Sequence, residues 1–90
     1  MNDSDLNVFR NKIDEIDDNI VKLLLDRFAV IKNVAEYKKE HGLEIYQKDR
    51  EAEVLNKIAG KIDNPEYTEY ILDIYKTVLD TSKKSQQKII

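Results

Sequence analysis

Four polar residues stand where the helical apolar pattern of this sequence calls for hydrophobic side chains. Arg27 interrupts the sevenfold apolar series of the first helical segment, and Glu51 stands one turn before Leu55 on a second apolar stripe. The third stripe continues as Ser82 and Gln86. Charged and polar side chains on a buried helix face are costly unless they meet partners. Their positions therefore predict a polar site enclosed by helices.

Lys38 joins this set because it shares a helical face with Arg27. Eleven residues separate the two, which corresponds to about three full turns and a rise of about 16 Å. Long cationic side chains at that spacing are able to lean toward each other and enclose a small anion, whereas Lys39 points about 100° away. The combined set predicts a water-poor site for a ligand with at least two negative charges and a hydroxyl group for Glu51.

Each of these residues also has an ordinary structural explanation. An arginine on a helical seam is more often ion-paired, or extended to solvent along its stem, than bound to a ligand. Glu51 is equally suited to an ion pair with a lysine, and Arg50 belongs to a residue type that is mostly solvated. Ser82 and Gln86 lie near the end of a helix, where regular structure frays. Only their combination on inward faces favours a binding site.

Three helical segments are predicted to position these side chains, and they give an all-α fold in a single domain, residues 1–90. The segments cover about residues 4–39, 48–61 and 65–88. Gly42 is expected to end the first helix in the left-handed conformation. Asn64 is expected to cap the third helix, with Pro65 in its first position.

The length of the first helix predicts a homodimer. A helix of about 35 residues is about 50 Å long, whereas a compact globule of this chain length is only about 30 Å across. The apolar stripe of the first helix would therefore lack cover within its own chain. We expect a second copy to supply that cover.

Composition excludes several functional classes. The 90 residues carry a net charge of −3, which argues against a nucleic-acid-binding protein. The chain has no cysteine and a single histidine, His41, so we expect no metal and no cofactor. No apolar run approaches the roughly 18 residues of a membrane span, and the acidic N-terminus has no secretory signal. A cytoplasmic protein without membrane partners is the expectation.

Five segments, taken in order, carry a resemblance to a known family. They are residues 9–17 (FRNKIDEID), 23–27 (LLLDR), 34–38 (VAEYK), 49–51 (DRE) and 82–87 (SKKSQQ). With these segments over nearly its whole length, the chain resembles the all-helical chorismate mutases of the AroQ class. The resemblance implies an intertwined helical homodimer with two identical sites. It also implies conversion of chorismate to prephenate on the route to phenylalanine and tyrosine.

The resemblance assigns roles to the polar residues by position. Arg27 and Arg50 correspond to ligands of the substrate carboxylates, together with Arg10 from the partner subunit, and Ser82 assists at a carboxylate. Gln47 stands where relatives often have Asp, but the contact there is made by a backbone amide.

Three further positions correspond to groups at the reacting part of the substrate. Lys38 and Gln86 correspond to donors to the ether oxygen of the breaking bond. Glu51 corresponds to the acceptor of the ring hydroxyl. These roles follow from the resemblance and add to the polar site that the spacing of the residues predicts.

Two other functions remain open at the level of sequence. An isochorismate-pyruvate lyase has the same fold and a similar cationic pocket, and the two enzymes differ in the substrate they consume. A helical dimerisation module without activity would not be stabilised by a diacid ligand. The sequence also leaves open whether the chain is free-standing or part of a longer bifunctional polypeptide.

Overall fold

The computed structural model describes residues 3–90, and it contains α-helices, one short 3-10 helix and no β-strand within that range. The α-helices are α1 (Asp3–His41), α2 (Lys48–Ala59) and α3 (Thr68–Gln87), and the 3-10 helix is Pro65–Tyr67. The all-α fold with three helices, one long, one short and one of medium length, is therefore confirmed. Among the described helices, none is both long enough and apolar enough to cross a membrane.

Gly42 ends α1 as the sequence predicts. Its φ of 64° is the left-handed conformation that glycine adopts without a steric penalty. The N–H of Leu43 then donates to the carbonyl of Lys38 at 2.9 Å, which satisfies one of the last helical carbonyls. The chain leaves the helix after this turn and reaches α2 through the short segment 43–47.

The segment between α2 and α3 is longer than the pattern predicts, because α2 ends before residue 61 and α3 begins at Thr68 rather than at Pro65. The helix α2 ends at Ala59, because the N–H of Lys61 donates to Ile58 and the N–H of Ile62 donates to Ala59, three residues back in each case. This tightening ends the regular four-residue hydrogen bonding. Asn64 caps the 3-10 helix Pro65–Tyr67 and not α3 itself, since its Oδ1 accepts from the N–H of Glu66 at 3.0 Å and the residue before α3 is Tyr67.

The chain divides into two units, Met1–Val30 and Ile31–Ile90. In the first unit, the described residues belong to α1, and the large apolar side chains of its stripes are exposed. They include Leu6, Phe9, Ile13, Ile16, Ile20 and Leu23. In the second unit, α2 packs against α3, and Ala35 and Leu79 are buried. Two polar residues of α3, Ser82 and Gln86, are as well buried as these apolar ones.

Candidate active site

Lys38 and Gln86 are in direct contact in the second unit. The Lys38 Nζ donates to Gln86 Oε1 at 2.9 Å and to the carbonyl oxygen of Ile45 at 2.8 Å. Gln86 is only 4% exposed, so its amide is held in a site from which water is largely excluded. The end of α1, the segment before α2 and the last turns of α3 are therefore joined at one ammonium group.

The surroundings of Lys38 act on its ionisation in two directions. Burial lowers the pKa of the Lys38 ammonium below its ordinary value of 10.5, because a charged group is less well solvated there. The negative charge of Glu51 acts in the opposite direction and raises the pKa. Lys38 and Glu51 therefore interact electrostatically, and the site combines a cation, a carboxylate and a buried amide.

Glu51 is held by a lysine of α3. The Nζ of Lys83 lies 3.1 Å from Glu51 Oε2 and 3.3 Å from Oε1. Both side chains are partly buried, with exposed fractions of 27% for Lys83 and 23% for Glu51. The hydrogen bond to Glu51 is the main reason that the pKa of Lys83 is raised. The ion pair joins the first turn of α2 to the end of α3.

Ser82 is buried beside these residues on α3, with an exposed fraction of 3%. Its Oγ donates to the carbonyl oxygen of Val78 at 2.8 Å, one turn earlier in the helix. Such a bond to the carbonyl of the preceding turn gives the donor of a helical serine hydroxyl a partner. The structure thus brings together Lys38, Glu51, Ser82 and Gln86 in one unit, although they come from three different helices.

Arg50 and Gln47 lie near this group in sequence but make other contacts. The Arg50 guanidinium donates to Glu53 Oε1 at 2.6 Å, and the two side chains are 62% and 52% exposed. The side-chain amide of Gln47 donates to the backbone carbonyl of Glu44 at 2.8 Å. The backbone carbonyl of Gln47 accepts from the backbone N–H of Glu51. The structure therefore places Arg50 in a surface ion pair and Gln47 at the start of α2.

Arg10 and Arg27 belong to the first unit. Arg10 is exposed, whereas Arg27 is half-buried and has an interaction partner. Their roles as substrate ligands remain predictions from the sequence.

Sequence reasoning did not identify Lys83 as part of the site. A lysine between a serine and a second lysine near a helix end resembles an ordinary solvated residue. Its helical position was the available signal, because residues 79, 82, 83 and 86 share one face of a helix. The carbonyl of Ile45 was missed for a different reason, since backbone groups leave no trace in residue types.

A comparison with protein families matches this chain to one of them. The profile described as chorismate mutase type II matches residues 9–87. The chain belongs to this family.

Curated relatives of this family member come from bacteria and an archaeon. The chain is 35% identical over 89 residues to a bifunctional chorismate mutase/prephenate dehydratase of Buchnera aphidicola, covering 97% of this chain and 23% of that protein. It is 32% identical over 82 residues to a chorismate mutase of Methanocaldococcus jannaschii, covering 90% of this chain and 83% of that protein. The chain thus spans about a quarter of the length of the bifunctional relatives it matches.

A solved structure has the same fold. The chorismate mutase (form II) of Thermus thermophilus superposes with a TM-score of 0.86, covering 91% of this chain and 93% of that chain. The sequence identity is 23%, so this likeness concerns the fold.

Proposed function

We propose that this chain catalyses the rearrangement of chorismate to prephenate, a step in the biosynthesis of phenylalanine and tyrosine in the cytoplasm. The observation that carries the proposal is the contact between Lys38 and the buried Gln86, 2.9 Å apart. Family membership adds support, and the contact places two hydrogen-bond donors together where the Gln86 amide is almost completely shielded from water. The neighbouring Glu51 adds the acceptor that a hydroxylated substrate needs.

The proposed reaction makes modest chemical demands on the protein. In one concerted step, a C–O bond of the ether bridge breaks while a new C–C bond forms. The reaction requires neither a nucleophile nor a proton transfer. The protein instead has to hold a flexible dicarboxylate in a compact, chair-like conformation, which is catalysis by positioning.

Lys38 and Gln86 are proposed to stabilise the negative charge that develops on the ether oxygen as the C–O bond lengthens. A lysine ammonium has three N–H donors, and the contacts of Lys38 with Ile45 and Gln86 use two of them. The remaining N–H and the amide N–H of Gln86 serve the ether oxygen in this proposal. Removing one preorganised donor of this kind typically costs about 3–4 kcal/mol of transition-state stabilisation.

Glu51 is proposed to accept a hydrogen bond from the ring hydroxyl of the substrate. A carboxylate accepts several hydrogen bonds, so the contact with Lys83 leaves acceptor capacity for the substrate. Glu51 also interacts electrostatically with Lys38, so the same carboxylate interacts with two lysine ammonium groups.

The substrate carboxylates are proposed to bind to Arg27, Arg50 and Ser82, the backbone amide of Gln47, and Arg10 of a second chain. Arg50 would exchange its contact with Glu53 for the substrate. That exchange is feasible because both partners of the ion pair are largely exposed, and exposed pairs contribute little to stability. Ser82 would rotate its hydroxyl away from Val78 to donate to a carboxylate.

The chain is further proposed to act as an intertwined homodimer. The described part of the first unit exposes large apolar side chains at helical spacing, among them Phe9, Ile13, Ile16 and Ile20. Large exposed apolar stripes of this kind mark surfaces by which a protein associates with a partner. A second copy would cover them and bring its Arg10 to the site.

Product analysis tests the proposed activity and its alternatives. The purified chain is incubated separately with chorismate and with isochorismate, and the products are identified by chromatography and mass spectrometry. Prephenate from chorismate is the expected result. Release of pyruvate from isochorismate without prephenate formation would instead assign the chain as a lyase.

A ligand-binding measurement separates an enzyme from a dimerisation module. We expect a bicyclic dicarboxylic acid that mimics the transition state to raise the melting temperature. At a ligand concentration of about 100 times Kd, binding adds about 2.7 kcal/mol to the free energy of unfolding. If the chain neither melts higher with this compound nor consumes chorismate, a structural module is the better description.

A further inference from the structure

Lys83 contacts the site without being one of the residues that the proposed function assigns to the substrate. We propose that Lys83 is a positioning residue, which orients the Glu51 carboxylate so that it accepts the hydroxyl group of the substrate. The inference rests on the proposed function, since it concerns how Glu51 performs its role there. Lys83 itself would not touch the substrate.

The geometry of the ion pair supports an orienting role. The Lys83 Nζ lies at similar distances from the two carboxylate oxygens of Glu51, 3.1 Å from Oε2 and 3.3 Å from Oε1. An ammonium that contacts both oxygens restricts rotation of the carboxylate about its last bond. That rotation is otherwise loosely restrained, because the terminal torsion of Glu has a broad distribution.

Lys83 is itself held by two further groups. Its Nζ lies 3.5 Å from Asp80 Oδ1 and 4.8 Å from the centre of the Tyr46 ring, on whose face a cation is attracted. Asp80 is one turn earlier in α3, while Tyr46 comes from the segment before α2. The ammonium is therefore fixed from more than one direction before any substrate binds.

The ion pair also differs from those on the surface of α2. Lys83 and Glu51 are 27% and 23% exposed, whereas Arg50 and Lys57 contact Glu53 with exposed fractions between 52% and 64%. Side chains that are less exposed to water are held in one geometry more firmly, and the attraction between their charges is screened less by salt. Among these pairs, the one with Lys83 is best suited to fix an orientation.

Lys83 also leaves Lys38 available for the ether oxygen. Lys38 contacts Ile45 and Gln86, while its attraction to Glu51 is electrostatic. In the absence of Lys83, the Glu51 carboxylate would be free to turn toward Lys38 and compete with the ether oxygen for its N–H. Holding Glu51 therefore preserves both the hydroxyl acceptor and the donor at the ether oxygen.

Hydroxyl discrimination is the readout that tests this role. Dissociation constants are measured for two bicyclic dicarboxylic acids, one with the hydroxyl group and one without it. The proteins are the wild type, Lys83→Ala, Lys83→Arg, and Lys84→Ala as the matched control, because Lys84 is an exposed lysine adjacent in sequence. Circular dichroism and melting temperature establish that each variant is folded, and kcat and KM for chorismate are measured in parallel.

The wild type should bind the hydroxylated compound at least about tenfold more tightly, as expected for a hydrogen bond to a charged acceptor. In Lys83→Ala this preference should fall by about three- to tenfold, which corresponds to the cost of ordering one side chain on binding. Lys83→Arg should restore most of the preference, and Lys84→Ala should retain all of it. The kcat of Lys83→Ala should also fall.

Two results would overturn the inference, and they differ from failure of the proposed function. A folded Lys83→Ala variant that keeps the full hydroxyl preference would show that Glu51 needs no orienting partner. Equal weakening of both compounds would show that Lys83 binds a carboxylate directly. A wild type that neither converts chorismate nor binds either compound would instead refute the proposed function, and this inference with it.

Discussion

Lys38 Nζ lies 2.9 Å from Gln86 Oε1, although the two residues are 48 positions apart in the chain. The contact joins the C-terminal part of α1 to the last turns of α3, where Gln86 is almost completely buried. One partner is a cation and the other a neutral amide. This difference in charge gives the two donors different responses to pH and to substitution.

The neutral amide of Gln86 predicts a rate that is insensitive to acid. Because an amide donates without being protonated, kcat should be nearly constant between about pH 6 and pH 8. In Gln86→Glu, the new carboxyl donates only while protonated, so activity should fall as the pH rises through its pKa. Steady-state rates across this range test both statements. A sharp acid optimum in the wild type would exclude Gln86 from the proposed role.

The lowered pKa of Lys38 predicts a loss of activity at alkaline pH. Only the ammonium form stabilises the ether oxygen, so kcat/KM, which reports the ionisation of the free enzyme, should decrease as the pH rises through the pKa of Lys38. Burial lowers this pKa below 10.5, so the decrease should begin at a lower pH than for a fully solvated lysine. In Lys38→Arg, whatever activity remains should lack this alkaline limb, since a guanidinium does not deprotonate in proteins.

Global unfolding provides the control for the alkaline limb. With its folded-state pKa lowered, Lys38 binds a proton more weakly in the folded than in the unfolded state. Its own contribution to the free energy of unfolding therefore increases as the pH rises between the two pKa values. Circular dichroism at each pH should show a folded chain where activity is already lost. If helicity and activity are lost at the same pH, unfolding explains the alkaline limb, and the limb no longer supports the proposed role of Lys38.

The proposed exchange of Arg10 between subunits predicts a specific pattern of complementation. A heterodimer of an Arg10→Ala chain with an Arg27→Ala chain should contain one intact site and retain about half the activity of the wild type. Either mutant alone should be nearly inactive. Differently tagged chains allow the heterodimer to be purified and assayed.

Placing both substitutions in the same chain gives the matched control. A heterodimer of wild type with the Arg10→Ala/Arg27→Ala double mutant should be nearly inactive, since each site then lacks one arginine. If Arg10 served the site of its own chain, the heterodimer of the two single mutants would be nearly inactive. The heterodimer of wild type with the double mutant would then retain about half the activity. That outcome would contradict the intertwined arrangement while leaving the proposed reaction intact.

The two glycines predict opposite effects of the same substitution. Gly42 has a φ of 64°, and no atom lies within 4 Å of an added Cβ. Gly42→Ala should therefore lower the free energy of unfolding by about 1–2 kcal/mol, because alanine adopts the left-handed conformation at a penalty. Gly60 has a φ of −68° and ordinary contacts at 3.6 Å. Gly60→Ala should therefore stabilise the chain by up to about 1 kcal/mol. Urea unfolding of both variants tests this, and equal effects would contradict it.

Much of the fold could be predicted because it depends on local sequence signals. The spacing of apolar residues predicts three helices, and Gly42 predicts the end of α1. Asn64 with Pro65 predicts the start of a helix, but the element that begins there is the 3-10 helix before α3. The end of α2 was less predictable. The switch to three-residue hydrogen bonds at Lys61 and Ile62 depends on backbone geometry, which the apolar pattern does not record.

The candidate site was predictable where polar residues interrupt an apolar stripe. Gln86 and Ser82 stand out for that reason, and both are buried. Lys83 does not stand out, because its partner Glu51 lies 32 residues earlier and the pairing depends on how α2 packs against α3. The pairing of Arg50 with Glu53 likewise depends on side-chain conformation, which spacing alone leaves open.

The central claim is that Lys38 stabilises the ether oxygen of chorismate, and kcat of Lys38→Ala at saturating chorismate tests it most directly. Lys39→Ala is the matched control, because Lys39 is the adjacent exposed lysine on the same helix. We expect kcat to fall at least about a hundredfold in Lys38→Ala, with helicity unchanged and Lys39→Ala close to wild type. A folded Lys38→Ala variant with near wild-type kcat would contradict the claim.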